Sequence, residues 1–371
     1  MLHISMKQTL LVKLAPTEEQ FNLLKSTMER FNEACNYIAD IAFQRRISNN
    51  WQLHHLTYYK VREQFGLSAQ LTVRAISKVS QAYKRDKKIR PKFDLQGAIV
   101  YDERLLSWKG LEYVSILTLQ GRIKVPIRIG PYQEARMNRI RGEADLLLRN
   151  TTFYLAATID VPEATPFEPK DWLGVDVGVN NIATDSDGEV WSGGQLNGLR
   201  TRHVKLRARL QSKDTKSAKR LLKKRSRKER RFATAVNHLI SKRIVEKAKD
   251  TLRGIALEEL KGIRNRVTVN GSRQRRTIHS WAFNQLRSFI EYKARLAGVP
   301  LLLVNPRNTS RACPACGYIA KANRKGEIFL CGNCGYAGPA DHIAAVNIGR
   351  AAFNRPYVSG HFNTSGTISR L

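Results

Sequence analysis

The sequence is short of acids. It sets 31 Asp and Glu against 64 Lys and Arg over 371 residues, a net charge of +33. That excess argues against an ordinary metabolic enzyme. Self-repulsion on this scale is tolerable when a polyanion neutralises it, so nucleic acid is the first partner indicated, ahead of an anionic membrane surface. Long apolar runs are also missing. No stretch approaches the roughly 20 apolar residues of a membrane span, and Met1 to Ser5 lacks a charged-then-apolar leader, so the expected location is soluble and intracellular. Cysteine is scarce, with five in all. Four form two C-x-x-C pairs near the C-terminus, which in a reducing compartment points to metal, not disulfides. The fifth, Cys35, sits on an apolar helical face and reads as core. Core-forming material is plentiful, with 42% hydrophobic and 8% aromatic residues, so the chain is no disordered basic tail. Its length suggests two or three domains.

Residues 6–14 read as a strand ending at Pro16. Thr17 with Gln20 forms a capping box, and Phe21, Leu24, Met28, Phe31, Cys35, Ile38 and Ala42 then recur at spacings of three and four, the period of an amphipathic helix. Two more helices are expected, over about 52–65 and 68–85, so a helical lobe spans 17–88. From 93 to 162 the texture changes to short runs rich in Val, Ile, Thr and Tyr, punctuated by Gly, which predict a small β-barrel made from 1–16 and 89–165. Pro162 to Lys170 reads as a linker. Beyond it, Trp172 to Gly178 and a second strand lead to a hairpin turn at Asp185 to Gly188. Residues 200–231 then hold 16 Lys and Arg against Asp214 and Glu229. Without Gly or Pro, this segment predicts a helical hairpin laid along phosphates, with Lys205, Arg209, Arg220, Lys224 and Arg227 among its contacts.

Three acids stand out by context. Asp176 interrupts an apolar strand, Glu258 closes the strand Gly254 to Glu259, and Asp341 opens a helical run to Ile348. A carboxylate in a buried strand is costly unless it is paired or binds metal. Brought together from separate elements, such carboxylates form a site for two Mg²⁺ ions that clamp the attacking water and the leaving oxygen of a phosphodiester. The order of strand, hairpin, strand, long helices, Glu-bearing strand, helix 281–297, strand 299–304 and final helix is that of an RNase H-like α/β layer domain, over 171–308 and 339–352. Cys313-Pro-Ala-Cys316-Gly and Cys331-Gly-Asn-Cys334-Gly give the most specific signal, two knuckles of a four-Cys zinc ribbon at 309–338. With no open ligand position its zinc would be structural, worth on the order of 10 kcal/mol of apparent binding energy.

Gly174-Val-Asp176-Val-Gly178, Leu257-Glu258-Glu259-Leu260, the C-x-x-C pairs and Asp341 through Asn347-Ile348 together resemble the RuvC-like nuclease of the TnpB (OrfB) family of bacterial insertion sequences. Trp281 to Gly298, Asn308-Thr309-Ser310 and Ala15 to Gln20 are similar to further stretches of that family. One departure is Ile343, where the family usually has Asn two residues after its last catalytic Asp. The resemblance implies an RNA-guided DNA endonuclease. Its guide would be an RNA from the element's end, its target double-stranded DNA beside a short motif, and its assembly one protein per RNA. It would be cytoplasmic in a bacterium and nucleoid-associated when on DNA. Asp176, Glu258 and Asp341 would bind Mg²⁺, and Cys313, Cys316, Cys331 and Cys334 zinc. The barrel and helical lobe would be the family's wedge and recognition parts, with Gln70, Thr72, Arg74 and Lys78 facing the motif-bearing duplex. Residues 353–371 are expected to be a disordered tail. Four alternatives stay open: a compact type V CRISPR effector, a guide-dependent DNA-binding protein without cleavage, a phosphotransferase with a Gly-x-Asp-x-Gly phosphate hairpin, and a strand-transferring transposase.

Overall fold

The computed structural model describes residues 5–260 and 283–354, apart from the side chains of residues 226, 227 and 283. The start of the helix expected from Trp281 and nearly all of the expected tail lie outside these residues. The chain divides into two compact units, Met1–Pro162 and Glu163–Leu371. No helix among the described residues is long and apolar enough to cross a membrane.

In the first unit, strand β1 (Ser5–Leu14) sends Leu10, Val12 and Leu14 inward in the two-residue alternation of a half-buried strand. The other strands are β2 (Ile99–Tyr101), β3 (Leu106–Lys109), β4 (Tyr113–Thr118), β5 (Gly121–Arg128), β6 (Ile140–Arg149) and β7 (Thr152–Pro162). They form one antiparallel seven-stranded sheet in the order β2-β6-β7-β1-β5-β4-β3. The β1–β7 ladder runs from Ser5 opposite Pro162 to Lys13 opposite Tyr154. The sheet is nearly closed. Its edge strands β2 and β3 are linked by the short turn Asp102–Leu105, and Tyr101 Oη donates to Leu117 O at 3.1 Å, but among the described residues no ladder joins them. The barrel expectation is corrected to that extent.

Between β1 and β2 the chain inserts helices α1 (Glu18–Gln44), α2 (Asn50–Phe65) and α3 (Ala69–Tyr83). The capping box of α1 forms as its sequence dictates: Gln20 N donates to Thr17 Oγ1 at 3.3 Å, and Thr17 N donates to Gln20 Oε1 at 3.2 Å. The buried face of α1, including Met28, Phe31 and Ile38, shares one core with the sheet strands. Phe21 meets Phe153 of β7 with ring centroids 5.0 Å apart.

After a one-turn helix α4 (Pro131–Glu134) in the first unit, the second unit builds a five-stranded sheet from β8 (Trp172–Asp176), β9 (Asn181–Asp185), β10 (Val190–Ser192), β11 (Gly254–Glu258) and β12 (Leu301–Val304). Its order is β10-β9-β8-β11-β12. β8 to β10 form an antiparallel meander, while β11 runs parallel to both β8 and β12. The lysine-rich segment is a helical hairpin of α5 (Gly194–Lys213) and α6 (Lys216–Asp250). It turns at Asp214, whose φ is 44°, and Thr215 caps α6 by accepting from Ala218 N. Helix α7 (Phe283–Ala297) packs on α6 and leads into β12. The small three-stranded sheet β13 (Arg324–Lys325), β14 (Ile328–Leu330) and β15 (Ala337–Pro339) carries the cysteine pairs, and α8 (Ala340–Phe353) closes the described chain.

Helix α8 lies directly on β8 because glycines meet there. A Cβ on Gly174 would sit 2.0 Å from Ala345 O and 2.5 Å from Gly349 N. These are backbone atoms, which cannot swing aside as a side chain would. Gly174→Ala is therefore expected to destabilise this unit by about 1–3 kcal/mol or more, several degrees in thermal unfolding at about 2–4 °C per kcal/mol. An unchanged melting curve would show that α8 slides freely on the sheet.

Candidate functional site

Asp176 ends β8 and Glu258 ends the adjacent parallel strand β11. The register pairs Leu257 with Val175, so the two carboxylates stand at neighbouring strand termini. Asp341 lies in the first turn of α8, where the helix dipole favours a negative charge. The α8–β8 contact at Gly174 thus carries the third acid to the first two.

Electrostatics record the convergence. Burial, then the charges of Glu258 and Asp341, push the Asp176 carboxyl from 3.8 up to about 7, with Arg324 opposing. Burial also raises Glu258, opposed by a hydrogen bond from Thr309 and the charge of Arg324. Each flanking acid has protein partners. Thr309 Oγ1 donates to Glu258 Oε1, Asn181 Nδ2 donates to Asp341 Oδ2 at 3.0 Å, and Arg324 Nη2 lies 2.9 Å from Asp341 Oδ1. Arg324, from β13, is the cation that counters all three acids. A partly buried trio with one neighbouring arginine carries more negative charge than the protein neutralises, and an all-oxygen donor set of this kind suits a hard divalent cation such as Mg²⁺.

Three contributors were not identified by sequence reasoning. Arg324 is one of 64 Lys and Arg with no local mark, and Asn181 follows an unremarkable turn. Thr309 falls in a stretch noted for family resemblance, but its role at Glu258 emerges only when β11 and the 305–312 loop meet. The ribbon hairpin reaches the β8–β9 turn a second time through Asn180 Nδ2, which donates to Glu327 Oε1 at 2.8 Å.

The four cysteines bring their sulfurs within 4.8 Å of one another. Among the described residues they are the one group of metal-ligating side chains that close. Cys313 and Cys334 sulfurs are 3.6 Å apart, as are those of Cys316 and Cys331. Four thiolates at about 2.3 Å from a tetrahedral zinc would have nearly this separation. Two equivalent knuckles build the site. Cys313 N donates to Tyr318 O and Gly317 N to Cys313 O; Cys331 N donates to Tyr336 O and Gly335 N to Cys331 O. Gly317 and Gly335 have φ of 75° and 73°, a left-handed turn that glycine adopts without strain. Hydrogen bonds from Asn333 and the Tyr318 backbone lower the Cys316 thiol, while the neighbouring sulfurs raise Cys334. Cys35 is buried on α1, and desolvation raises its thiol to about 12, as suits core.

The expected contacts on α3 are engaged inside the protein. Thr72 is fully buried and donates to Ser68 O, so it offers nothing to a duplex. Gln70 and Arg74 both bind Asp102, and Arg74 also pairs with Glu143. Burial would raise the Asp102 carboxyl, but hydrogen bonds from Arg74 and Gln70 outweigh it and hold the group below its usual range. Lys78 Nζ donates to Asn32 Oδ1 and Ala98 O, both at 2.7 Å, and stands 5.4 and 5.1 Å from the Phe31 and Phe93 ring centroids. On the hairpin, Lys205, Arg209, Arg220 and Lys224 are exposed. The Arg227 side chain lies outside the described residues.

The raised Asp176 group has a thermodynamic consequence. From about pH 4 to 7 the folded state keeps a proton that the unfolded chain has released, so stability falls as pH rises through that window. Asp176→Asn cannot ionise. Without added divalent cation it should be more stable than the wild type at pH 8 by about 2–4 kcal/mol, a difference closing towards pH 4. Denaturant unfolding at both pH values measures this, and a pH-independent difference would contradict the assigned environment.

Family comparison adds an independent line. Residues 156–264 match the OrfB_IS605 model, described as a probable transposase, and residues 283–348 match the Cas12f1-like TNB domain. The chain is 30% identical over 207 residues to the TnpB-like protein MJ0751 of Methanocaldococcus jannaschii, covering 52% of this chain and 73% of that one. It is 32% identical over 190 residues to the CRISPR-associated endodeoxyribonuclease Cas12f1 of Syntrophomonas palmitatica, covering 46% of this chain and 37% of that one. Its fold is similar to the protein in a Cas12f1–sgRNA–target DNA complex, with a TM-score of 0.62 at 14% identity over 93% of this chain and 99% of that one. With three acids converging beside a four-cysteine knuckle pair and a relative matched over most of its length, the chain belongs to the TnpB family.

Proposed function

We propose that the protein is an RNA-guided DNA endonuclease of the TnpB kind, which uses an RNA from the end of its element to bind double-stranded DNA beside a short motif and hydrolyses its phosphodiesters. The observation that carries this reading is the convergence of Asp176, Glu258 and Asp341 from separate elements, with the Asp176 carboxyl lifted to about 7 by burial and its two acidic neighbours. The Cas12f1 relative is an endodeoxyribonuclease, and the Cas12f1 structure of similar fold holds a guide RNA and target DNA. The five-stranded sheet, with its antiparallel meander, two parallel strands and a helix across β8, is read as the RNase H-like domain that carries the chemistry.

In this reading Asp176, Glu258 and Asp341 would hold two Mg²⁺ ions, which would supply an activated water and charge stabilisation at the leaving oxygen. Thr309 fixes the rotamer of Glu258, and Asn181 orients Asp341 through the oxygen that Arg324 leaves free. Arg324 pairs with Asp341 and offsets its charge. The cysteines hold one structural zinc that keeps the Arg324 hairpin folded. Exposed cations of the α5–α6 hairpin bind phosphates without reading sequence.

Asp176→Ala is expected to abolish cleavage by the guide-loaded protein, more than about a thousandfold, while leaving guided DNA binding unchanged in a gel-shift assay. Loss of both would make Asp176 a structural group. Cys331→Ser should lower zinc from one per chain towards none by metal analysis and expose 313–334 to proteolysis. Full zinc occupancy in that variant would exclude the four-thiolate site.

A further inference from the structure

Helix α2 carries a row of rings that the nuclease reading does not use. It is fixed at both ends: Asn49 Oδ1 accepts from Trp51 N at 2.8 Å, and Gly66 ends it with φ of 64°. Of its aliphatic residues Leu53 and Val61 are buried in the core and Leu56 is half-buried. Trp51, His55, Tyr58 and Arg62 recur at spacings of four, three and four, one stripe of a helix, and His54 and Tyr59 flank it. Trp51 is 70% exposed and Tyr59 79%. The rings adjoin one another: Trp51 and His55 centroids are 4.3 Å apart, His54 and Tyr58 are stacked at 4.6 Å, and Tyr58 and Tyr59 are 5.2 Å apart. The Arg62 guanidinium lies 5.7 Å from the Tyr58 ring. Beside Tyr59 and Arg62 opens a groove of about 680 Å³, floored by Leu67, Thr118 and Leu119.

Single exposed aromatics are ordinary surface. A row of adjoining planar rings with a guanidinium at one end is the composition of a base-stacking surface. Charge selects the occupant. Arg45 and Arg46 precede α2, which itself bears Lys60 and Arg62 against the single acid Glu63. A second copy of a chain with net charge +33 would be repelled from this face, whereas a polyanion is drawn to it.

We propose that the outer face of α2 is a binding site for unpaired nucleotides, with Trp51 and Tyr59 stacking on bases and Arg62 meeting the phosphate or the next base. The site deepens the nucleic-acid reading above but needs neither the acids nor their metal. Its occupant is an unpaired stretch of the guide RNA, which offers single-stranded bases without the opening of a duplex.

The test uses the full chain, without divalent cation, and compares anisotropy of labelled dT12, U12 and an abasic 12-mer. Wild type should bind the base-bearing strands at least about tenfold more tightly than the abasic one. Trp51→Ala/Tyr59→Ala should erase that preference while keeping abasic affinity and thermal stability, and Trp51→Phe/Tyr59→Phe should restore it. A preference for U12 over dT12 supports guide RNA as the occupant, and a preference for dT12 would overturn it. Photocrosslinking of 4-thiothymidine-substituted or 4-thiouridine-substituted strands should label peptides within 50–65. Equal binding of base-bearing and abasic strands, labelling only elsewhere, or a change of oligomeric state in the Ala variant would overturn the proposal. Cleavage by the guide-loaded Asp176 wild type is read separately, so failure here leaves the endonuclease reading standing.

Discussion

The second unit depends on one contact, the backbone of α8 resting on the backbone of β8. Only glycine at 174 lets Ala345 O and Gly349 N come so close, and this approach fixes where the first turn of α8 lies. Asp341 is therefore positioned by a steric constraint that acts four and eight residues further along its own helix. Asp176 and Glu258 need no such device, because parallel pairing of β8 and β11 already sets their termini side by side. Two acids are placed by hydrogen-bonded register and the third by packing.

The cysteine ribbon and the acids belong to one electrostatic design. Arg324 leaves the ribbon's first strand to pair with Asp341, while Glu327 at the following turn accepts from Asn180. A ribbon that lost its fold would remove the cation that offsets three crowded carboxylates. Burial first, and then that crowding, pushes the Asp176 carboxyl up to about 7. Sites that gather like charges in this way are held by surrounding structure, and here that structure is partly the knuckle pair.

Local signals were legible in the sequence to the degree that their chemistry is local. The two C-x-x-C-Gly-Tyr knuckles and the Thr17–Gln20 capping box each carry their meaning within a few residues. Closure of the N-terminal sheet depends on how seven strands curl, so a barrel was the nearest description from strand texture alone. The partners of Gln70, Arg74 and Lys78 on α3 were hidden for a related reason. Asp102 sits in the turn between β2 and β3, and only the fold brings it to Gln70 and Arg74. Lys78 is drawn inward by Asn32 and two phenyl rings that no spacing rule connects to it. Arg324 was hidden by abundance, one cation among many.

That abundance has its own consequence along α6. Its 35 residues make a rod about 50 Å long, several times the roughly 8 Å over which charges sense one another at physiological salt. Cations at its two ends are electrostatically independent, and neighbours on one turn are interchangeable. The rod is redundant by construction: exchange of one lysine for another position a turn away leaves its field almost unaltered. A change of side chain is thereby absorbed along the rod, while a single methyl group at Gly174 has nowhere to go.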